Sequence, residues 1–472
     1  MFATIVSILP QFLEILRVIE HELLLFAAFW FIIGIVDELA IDLVWLWLWF
    51  RGRTQDPALP SAFEHSPLGG DIAVLVPAWR EDKVIGAMIG HALRVWCQRE
   101  LTLYVGCYAN DAATIAAVIA SADGDARLRL VIHDRHGPST KADCLNRLYA
   151  ALCFDEQRSG RMFAGVVLHD AEDMVHAAEL ALIDRALEHA EFVQIPVRPQ
   201  PQPASPWVAG HYTDEFTEAH AKSLVVRDAL GAAIPAAGVG CGFARATLAR
   251  IAALRDRQGG VGPFAEECLT EDYELGLLVS RVGGRSRFLR VRDAAGSLVA
   301  TRAYFPSDLD AAVRQKARWI HGIALQGWDR LGWQGRGVDL WMALRDRRGP
   351  MIALVLFAAY VLLVIEGILS LADLAGWRRS GGLTPSLELM LTVTFAGFVW
   401  RSFWRFAFTA REYGLAEGTR SLLRTPVANF ISILAGRRAL FAYIRVLRGE
   451  VVRWDKTLHD DHPALVASGA MR

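Results

Sequence analysis

Two long apolar segments constrain this chain before anything else does: Leu23 to Phe50 near the start, and Met351 to Ala372 toward the end. A helix that crosses the hydrocarbon core of a bilayer needs about 20 apolar residues, and both segments are long enough. With 53% hydrophobic residues the chain has apolar material for membrane helices and for a buried core besides. Asp37, Glu38 and Asp42 interrupt the first segment. Carboxylates are costly in lipid, so the segment reads as a single tilted helix with its acidic face turned to protein or water, the alternative being a shorter span followed by a Trp-rich interfacial piece. The second segment holds only Glu366. Leu387 to Trp400, extended toward Ala410, predicts a further span closed by Arg401 and Arg405. Val427 to Leu447 mixes Arg437, Arg438 and Arg445 with apolar residues, which predicts a helix lying on the membrane.

The expected layout is an N-terminal transmembrane segment (1–50), a cytosolic domain (51–349), C-terminal transmembrane and interfacial helices (350–448) and a polar tail (449–472). Arg51 and Arg53 follow the first span, and Arg345, Arg347 and Arg348 precede the second. An excess of cations marks cytoplasmic flanks, so a multi-pass protein of the cell inner membrane, in contact with membrane lipids, is expected. The start lacks a basic leader and a small-residue cleavage site, so the first segment is expected to be retained. Fifty Lys and Arg against 51 Asp and Glu leave no global basic field for nucleic acid. The six cysteines form no CxxC, which argues against a zinc site or a disulfide framework.

Between the spans, short apolar runs alternate with helix-length stretches. IAVLVP (72–77), LTLYVGCY (101–108), RLRLVIH (127–133), GVVLHD (165–170) and FVQIPV (192–197) read as buried strands. The fold class is α/β, Rossmann-like, with a largely parallel sheet. Ligands gather at the carboxyl ends of such strands, where Pro77, Asp111 and Asp170 fall. The Pro-rich 196–206 reads as a mobile loop.

Three motifs carry carboxylates or sugar-binding groups. Asp170, Glu172 and Asp173 close a strand, where a hard cation could be held between carboxylates and a diphosphate, although the same residues also fit a solvated acidic turn. Asp272 in TED begins a helix that Thr270 could cap; it reads either as a general base facing a cleft or as the acidic first turn of a capped helix. Gln315, Arg318 and Trp319 share one helical face, which suits a pyranose ring with its hydroxyls and equally suits a helix resting on the membrane. Among smaller sites, Lys141 and Asn146 suit phosphate and hydroxyl contacts, or a plain helix surface. Gly238, Gly240 and Gly242 suit close backbone approach to a donor, and His169 a strand-end position beside the carboxylates.

Taken in order, these motifs resemble the processive, cellulose-synthase-like branch of family 2 glycosyltransferases, whose pattern is an early Asp, a DxD, a TED and a QxxRW ahead of membrane helices. VPAWRE, GPSTKADCLN and HDAED are similar to the glycosyltransferase portion of the phage adsorption protein B group. The resemblance implies a GT-A-like domain. It makes Asp111 and Glu81 nucleotide contacts, and Asp170 with Glu172 or Asp173 the ligands of Mg²⁺ or Mn²⁺; Asp170, with Lys141 and Gly242 from their own chemistry, is expected among the donor contacts. Asp272, with Glu271 beside it, matches the catalytic TED, and Gln315, Arg318 and Trp319 match the acceptor motif. Two departures stand out: the second DxD carboxylate is Glu172, and Arg80 replaces the usual Asn. Longer members of the group continue into a domain that binds cyclic-di-GMP, and that regulation is not carried over.

The expectation is an inverting enzyme that moves a sugar from a nucleotide-diphosphate donor to a growing glycan of the exopolysaccharide type, with an export partner. The alternatives are a non-processive transferase to a lipid-linked acceptor and a catalytically silent scaffold for receptor assembly.

Overall fold

The computed structural model describes residues 2–376, 383–450 and 461–467; the rest of the expected polar tail lies outside them. The strands are β1 (Ile72–Pro77), β2 (Leu101–Tyr108), β3 (Leu128–His133), β4 (Gly165–Leu168), β5 (Phe192–Gln194), β6 (Val197–Pro199), β7 (Cys241–Ala244), β8 (Ser286–Phe288) and β9 (Thr301–Ala303). Seven of them form one sheet in the order β3-β2-β1-β4-β7-β5-β8. Every pairing in it is parallel except those of β7, which runs antiparallel to both β4 and β5. Strands β1, β2, β4 and β5, which read as apolar runs, are buried, and β1 from Ile72 to Val76 is fully enclosed, as a sheet covered on both faces requires. β3, also expected to be buried, is instead an edge strand in which only His133 is buried. Helices Ile85–Val95 and Glu179–Leu187 pack on one face, and Lys141–Ser159 and Glu271–Arg281 on the other. This is the expected α/β, GT-A-like arrangement.

The Pro-rich 196–206 is not a free loop. Val197–Pro199 pairs in parallel with β9, Gln202 Nε2 donates to Phe305 O at 2.6 Å, and Ser205 Oγ donates to Ser307 O at 2.6 Å. Backbone pairing overrode a composition that alone signals mobility.

The first helix, Phe2–Phe50, runs for 49 residues, about 70 Å at 1.5 Å per residue, and so outruns a hydrocarbon core of about 30 Å. Its acidic face meets protein. Asp37 pairs with Arg345 and, at 2.6 Å, with Arg348; Glu38 pairs with Arg401 at 2.8 Å; Asp42 pairs with the buried Lys222 at 2.6 Å and accepts from the Trp400 indole at 2.7 Å. Arg345 and Arg348 thus neutralise this face and are not free flanking charge. Among the described residues two helices, Pro10–Phe50 and Gly349–Leu374, are long and apolar enough to cross a membrane. The Pro385–Tyr413 helix covers the third expected span and lies beside the first helix, with Gly397 against Ile35; it carries Glu388, Arg401, Arg405 and Arg411 and is not one of these two. The Thr425–Leu447 helix does not lie free on a surface. It is wedged between the apolar Gly349–Leu374 helix, where Tyr360 meets Phe430, and the QKARW helix, where Ala317 meets Ala435 and Ala439.

Candidate active site

The carboxyl ends of β1 and β4, the start of the Lys141–Ser159 helix, the TED helix and the QKARW helix surround a cavity of about 590 Å³. Glu81, Lys141, Asp170, Glu172, Asp272 and the trio Gln315, Arg318 and Trp319 all line it, as do Asp173 and Glu271.

After β4 the chain turns through the DAED motif. Asp173 Oδ2 accepts from His169 Nδ1 at 2.9 Å and from the Asp170 backbone N–H at 2.9 Å, so this carboxylate closes the turn. His169 Nε2 lies 2.8 Å from Glu179 Oε1. Burial would lower the histidine, but Glu179 and Asp173 outweigh it and hold the imidazole up at about 10. His169 is therefore a buried cation that organises the turn. From the described end of the tail, His462 Nε2 reaches the Asp173 carbonyl oxygen at 3.0 Å. Among the described residues no three carboxylates, thiols or imidazoles gather about one point, so the predicted trio of Asp170, Glu172 and Asp173 is not a ready-made metal cage. Mg²⁺ is commonly held by one or two carboxylates together with substrate phosphates. Asp170 and Glu172 on the cavity wall fit that smaller donor set; Asp173 lines the same wall, with its Oδ2 taken by His169 and the Asp170 N–H.

Lys141 opens a helix capped by Thr140, whose hydroxyl accepts from Asp143 N at 3.1 Å. Its ammonium sits 2.5 Å from Asp170 Oδ1. Burial opposes the charge, yet Asp170, Glu271 and Asp272 together push its pKa above the ordinary lysine value, so Lys141 stays cationic among carboxylates.

Thr270 stands at the N-cap position of the TED helix, but its hydroxyl makes no capping hydrogen bond, contrary to expectation. Its side chain instead fills the space beside Gly322, where any Cβ would collide with it. Asp272 Oδ1 accepts from the Tyr273 backbone N–H at 2.8 Å. Gly238, with φ of 78°, passes so close that a Cβ there would strike the Asp272 carboxylate, which is why a glycine occupies that turn. Burial holds the Asp272 carboxyl above the usual range, with Lys141 countering part of the effect. Glu271 is pushed up to about 8, first by burial and then by the charge of Asp272.

A stability prediction follows from Glu271. Its folded-state pKa lies above the unfolded value, so the native state holds an extra proton between about pH 4.5 and 8, and stability falls as pH rises through that window. Glu271→Gln should lessen the dependence and raise the melting temperature of metal-free protein at pH 8.5 by a few °C. Melting curves of both proteins from pH 5 to 9 with identical slopes would contradict this.

Several expected site residues do other work. Asp111 is absent from the cavity wall: it caps the Ala112–Ala122 helix through Thr114 N at 3.4 Å and accepts from Arg80 N at 2.6 Å. That bond holds Arg80 at φ of 54° and so shapes the turn that presents Glu81. Gly242 sits inside β7, where a Cβ would collide with Ile183, so it serves packing and not donor contact. Asn146 does not face the cavity either: it donates to Phe264 O at 2.9 Å and accepts from Phe264 N at 3.0 Å, pinning the segment ahead of TED.

The QKARW helix, Leu309–Trp319, presents its three expected residues together. Trp319 stands edge-on to Tyr212 at 6.1 Å, and Gln315 Oε1 is buried without a hydrogen-bond partner among the described residues. The helix then passes into a π-helical segment, Ile320–Gln326, and Gln326 Oε1 accepts from Leu269 N at 3.0 Å, tying this helix to TED. The sequence reading missed Gln194. Its amide accepts from Ala237 N at 2.8 Å and donates to Val239 O at 2.9 Å, which holds the Gly238 turn. A polar residue inside the apolar run FVQIPV was the available signal.

A mostly parallel α/β sheet with a lysine and several carboxylates at its carboxyl edge, beside an aromatic wall, is an arrangement of the GT-A-like class. A family profile described as "Glycosyltransferase like family 2" matches residues 69–322, more than half of the chain, and the chain belongs to that family. It is 33% identical over 463 residues to bacteriophage adsorption protein B of Escherichia coli (strain K12), across 92% of this chain and 61% of the relative. The bacteriophage N4 adsorption protein B of Escherichia coli O157:H7 matches to the same extent. The chain thus spans about three fifths of the length of these relatives, 61%. Among solved structures it is similar to a mannosyltransferase from Pyrobaculum calidifontis in complex with GDP-Man and Mn²⁺, at 17% identity and a TM-score of 0.46, covering 83% of this chain and 98% of that one. Glucosyl-3-phosphoglycerate synthase from Mycobacterium tuberculosis, in complex with Mn²⁺, UDP and phosphoglyceric acid, matches at 19% identity and a TM-score of 0.34, covering 61% and 84%.

Proposed function

We propose that the protein is an inverting glycosyltransferase that takes a nucleotide-diphosphate sugar on the cytosolic side of the inner membrane and extends a glycan. The observation that carries this reading is the single cavity in which Asp272, Lys141, Asp170 and the QKARW trio face one another. Asp272, at the start of the TED helix on the cavity wall, takes the proton of the attacking hydroxyl. A direct in-line displacement with one base and no separate nucleophile inverts the anomeric centre. Lys141 holds the diphosphate as negative charge builds on the leaving group, and Glu81 meets the nucleoside. Asp170 and Glu172 would hold Mg²⁺ or Mn²⁺, which when bound supplies further charge stabilisation to the diphosphate.

A second reading, transfer to a single lipid-linked acceptor, is favoured by the packing of the QKARW helix on the Thr425–Leu447 helix, which in turn packs on an apolar helix long enough to span a bilayer. Trp319→Ala separates the two. If a growing chain stacks on Trp319, the substitution removes a contact worth about 1 kcal/mol or more, shortens the product, and leaves donor affinity nearly unchanged. Unchanged product length at full activity would refute the extension role and favour the single-transfer reading.

A further inference from the structure

The cavity wall on the acceptor side is not ordinary α-helix. The Gly210–Glu218 helix passes into a π-helical segment, Ala219–Ser223, just as the QKARW helix passes into Ile320–Gln326. Each segment contributes a wall residue, His220 and Ile323. Such turns are rare, re-aim the side chains around them, and recur at functional sites.

His220 is buried, and its Nδ1 is taken by one peptide: Val197 N lies at 3.2 Å and Val197 O at 3.0 Å, so either tautomer is satisfied there. Its Nε2 has no protein partner among the described residues. Phe216 stands edge-on to the imidazole at 5.3 Å and meets Trp319 at 6.1 Å, so one aromatic wall joins His220 to the QKARW helix. Burial is the main cause that draws the imidazole down to about 4, which leaves it neutral near pH 7. A neutral ring nitrogen in an apolar wall suits a sugar hydroxyl and has no charge to offer a phosphate.

We propose that His220 sets acceptor specificity: Nε2 hydrogen-bonds a ring hydroxyl of the sugar that rests on the Phe216 and Trp319 wall and receives the transferred unit. This rests on the transferase reading above. His220 binds and takes no part in bond breaking; the proton of the attacking hydroxyl goes to Asp272.

The test uses detergent-permeabilised membranes from cells expressing the full chain. They are supplied in turn with UDP-glucose, UDP-N-acetylglucosamine, UDP-galactose and GDP-mannose, and two rates are measured: sugar transfer into membrane-bound glycan and donor hydrolysis to water. His220→Asn keeps an amide near the Nδ1 position for Val197 and removes Nε2, whereas His220→Gln restores a polar atom near Nε2. The Asn variant should transfer about fivefold more slowly, the worth of one hydrogen bond of about 1 kcal/mol, with hydrolysis unchanged, and the Gln variant should recover most of the transfer. Wild-type transfer by the Asn variant would overturn the proposal. Loss of transfer and hydrolysis together in both variants would also overturn it, because His220 would then only hold the Val197 turn. A wild-type protein that neither transfers nor hydrolyses any of these donors would instead count against the transferase reading itself.

Discussion

Replacing Asp272 by Asn should lower turnover about 10²- to 10⁴-fold while donor affinity stays close to wild type, because general-base catalysis is usually worth that much. The substitution keeps the Oδ1 that accepts from Tyr273 N, so the start of the TED helix is preserved and only the proton acceptor is lost. Asp272 suits the role because burial holds its carboxyl above the usual range, making it a stronger proton acceptor than an exposed aspartate. Removing its charge should also let Glu271 ionise more easily, since Asp272 is the second cause of the elevation there. Nucleotide release at saturating donor, with donor affinity measured by calorimetry, checks the prediction. Near-normal turnover would remove Asp272 from the role of base.

Chelation should abolish nucleotide release, and Asp170→Ala should remove metal-dependent donor binding. The cavity wall carries Asp170, Glu172, Glu271 and Asp272 around Lys141, and an incoming diphosphate adds more negative charge to a partly buried site. Unit charges about 4 Å apart at an effective dielectric of about 20 repel by about 4 kcal/mol, and a divalent cation would relieve that repulsion beyond what Lys141 and Arg318 supply. The two carboxylates that follow Asp170 should separate cleanly. Glu172→Ala should weaken metal-dependent donor binding with the fold intact, whereas Asp173→Ala should lower the melting temperature, because it strips His169 and the Asp170 N–H of their acceptor. Activity unaffected by EDTA would sink the metal assignment.

The parts legible in the sequence share a physical cause. β1, β2 and β4 could be read because each is a mostly apolar run that fills a buried strand, as Ile72 to Pro77 does, and β3 because its apolar residues still mark a strand although Arg129 is exposed at the sheet edge. β7, β8 and β9 escaped because they are short and owe their existence to pairing partners far away in the chain: Cys241–Ala244 is a strand because β4 and β5 flank it. The order of DAED, TED and QKARW announced the family, and one cavity gathers all three motifs. Side-chain neighbours were not legible. Asp111 turned out to cap a helix and shape the turn before Glu81, Gly242 to make room for Ile183, and Asn146 to pin Phe264. Spacing along a chain says which residues share an element, and only the packed structure says what each one touches. The acidic residues of the first helix illustrate the reverse: their cost in lipid correctly required partners, and Arg345, Arg348, Arg401 and Lys222 supply them.

The most direct measurement incubates purified full-length protein in detergent with a panel of nucleotide-diphosphate sugars and Mg²⁺ or Mn²⁺, follows nucleotide release, and determines the anomeric configuration of the sugar in the product. The expected result is release from one donor class, dependent on the metal and on Asp272, with the configuration inverted. A product that retains the donor's configuration, or release that is equally fast in the Asp272→Asn variant, would contradict a single-displacement transferase built on this site.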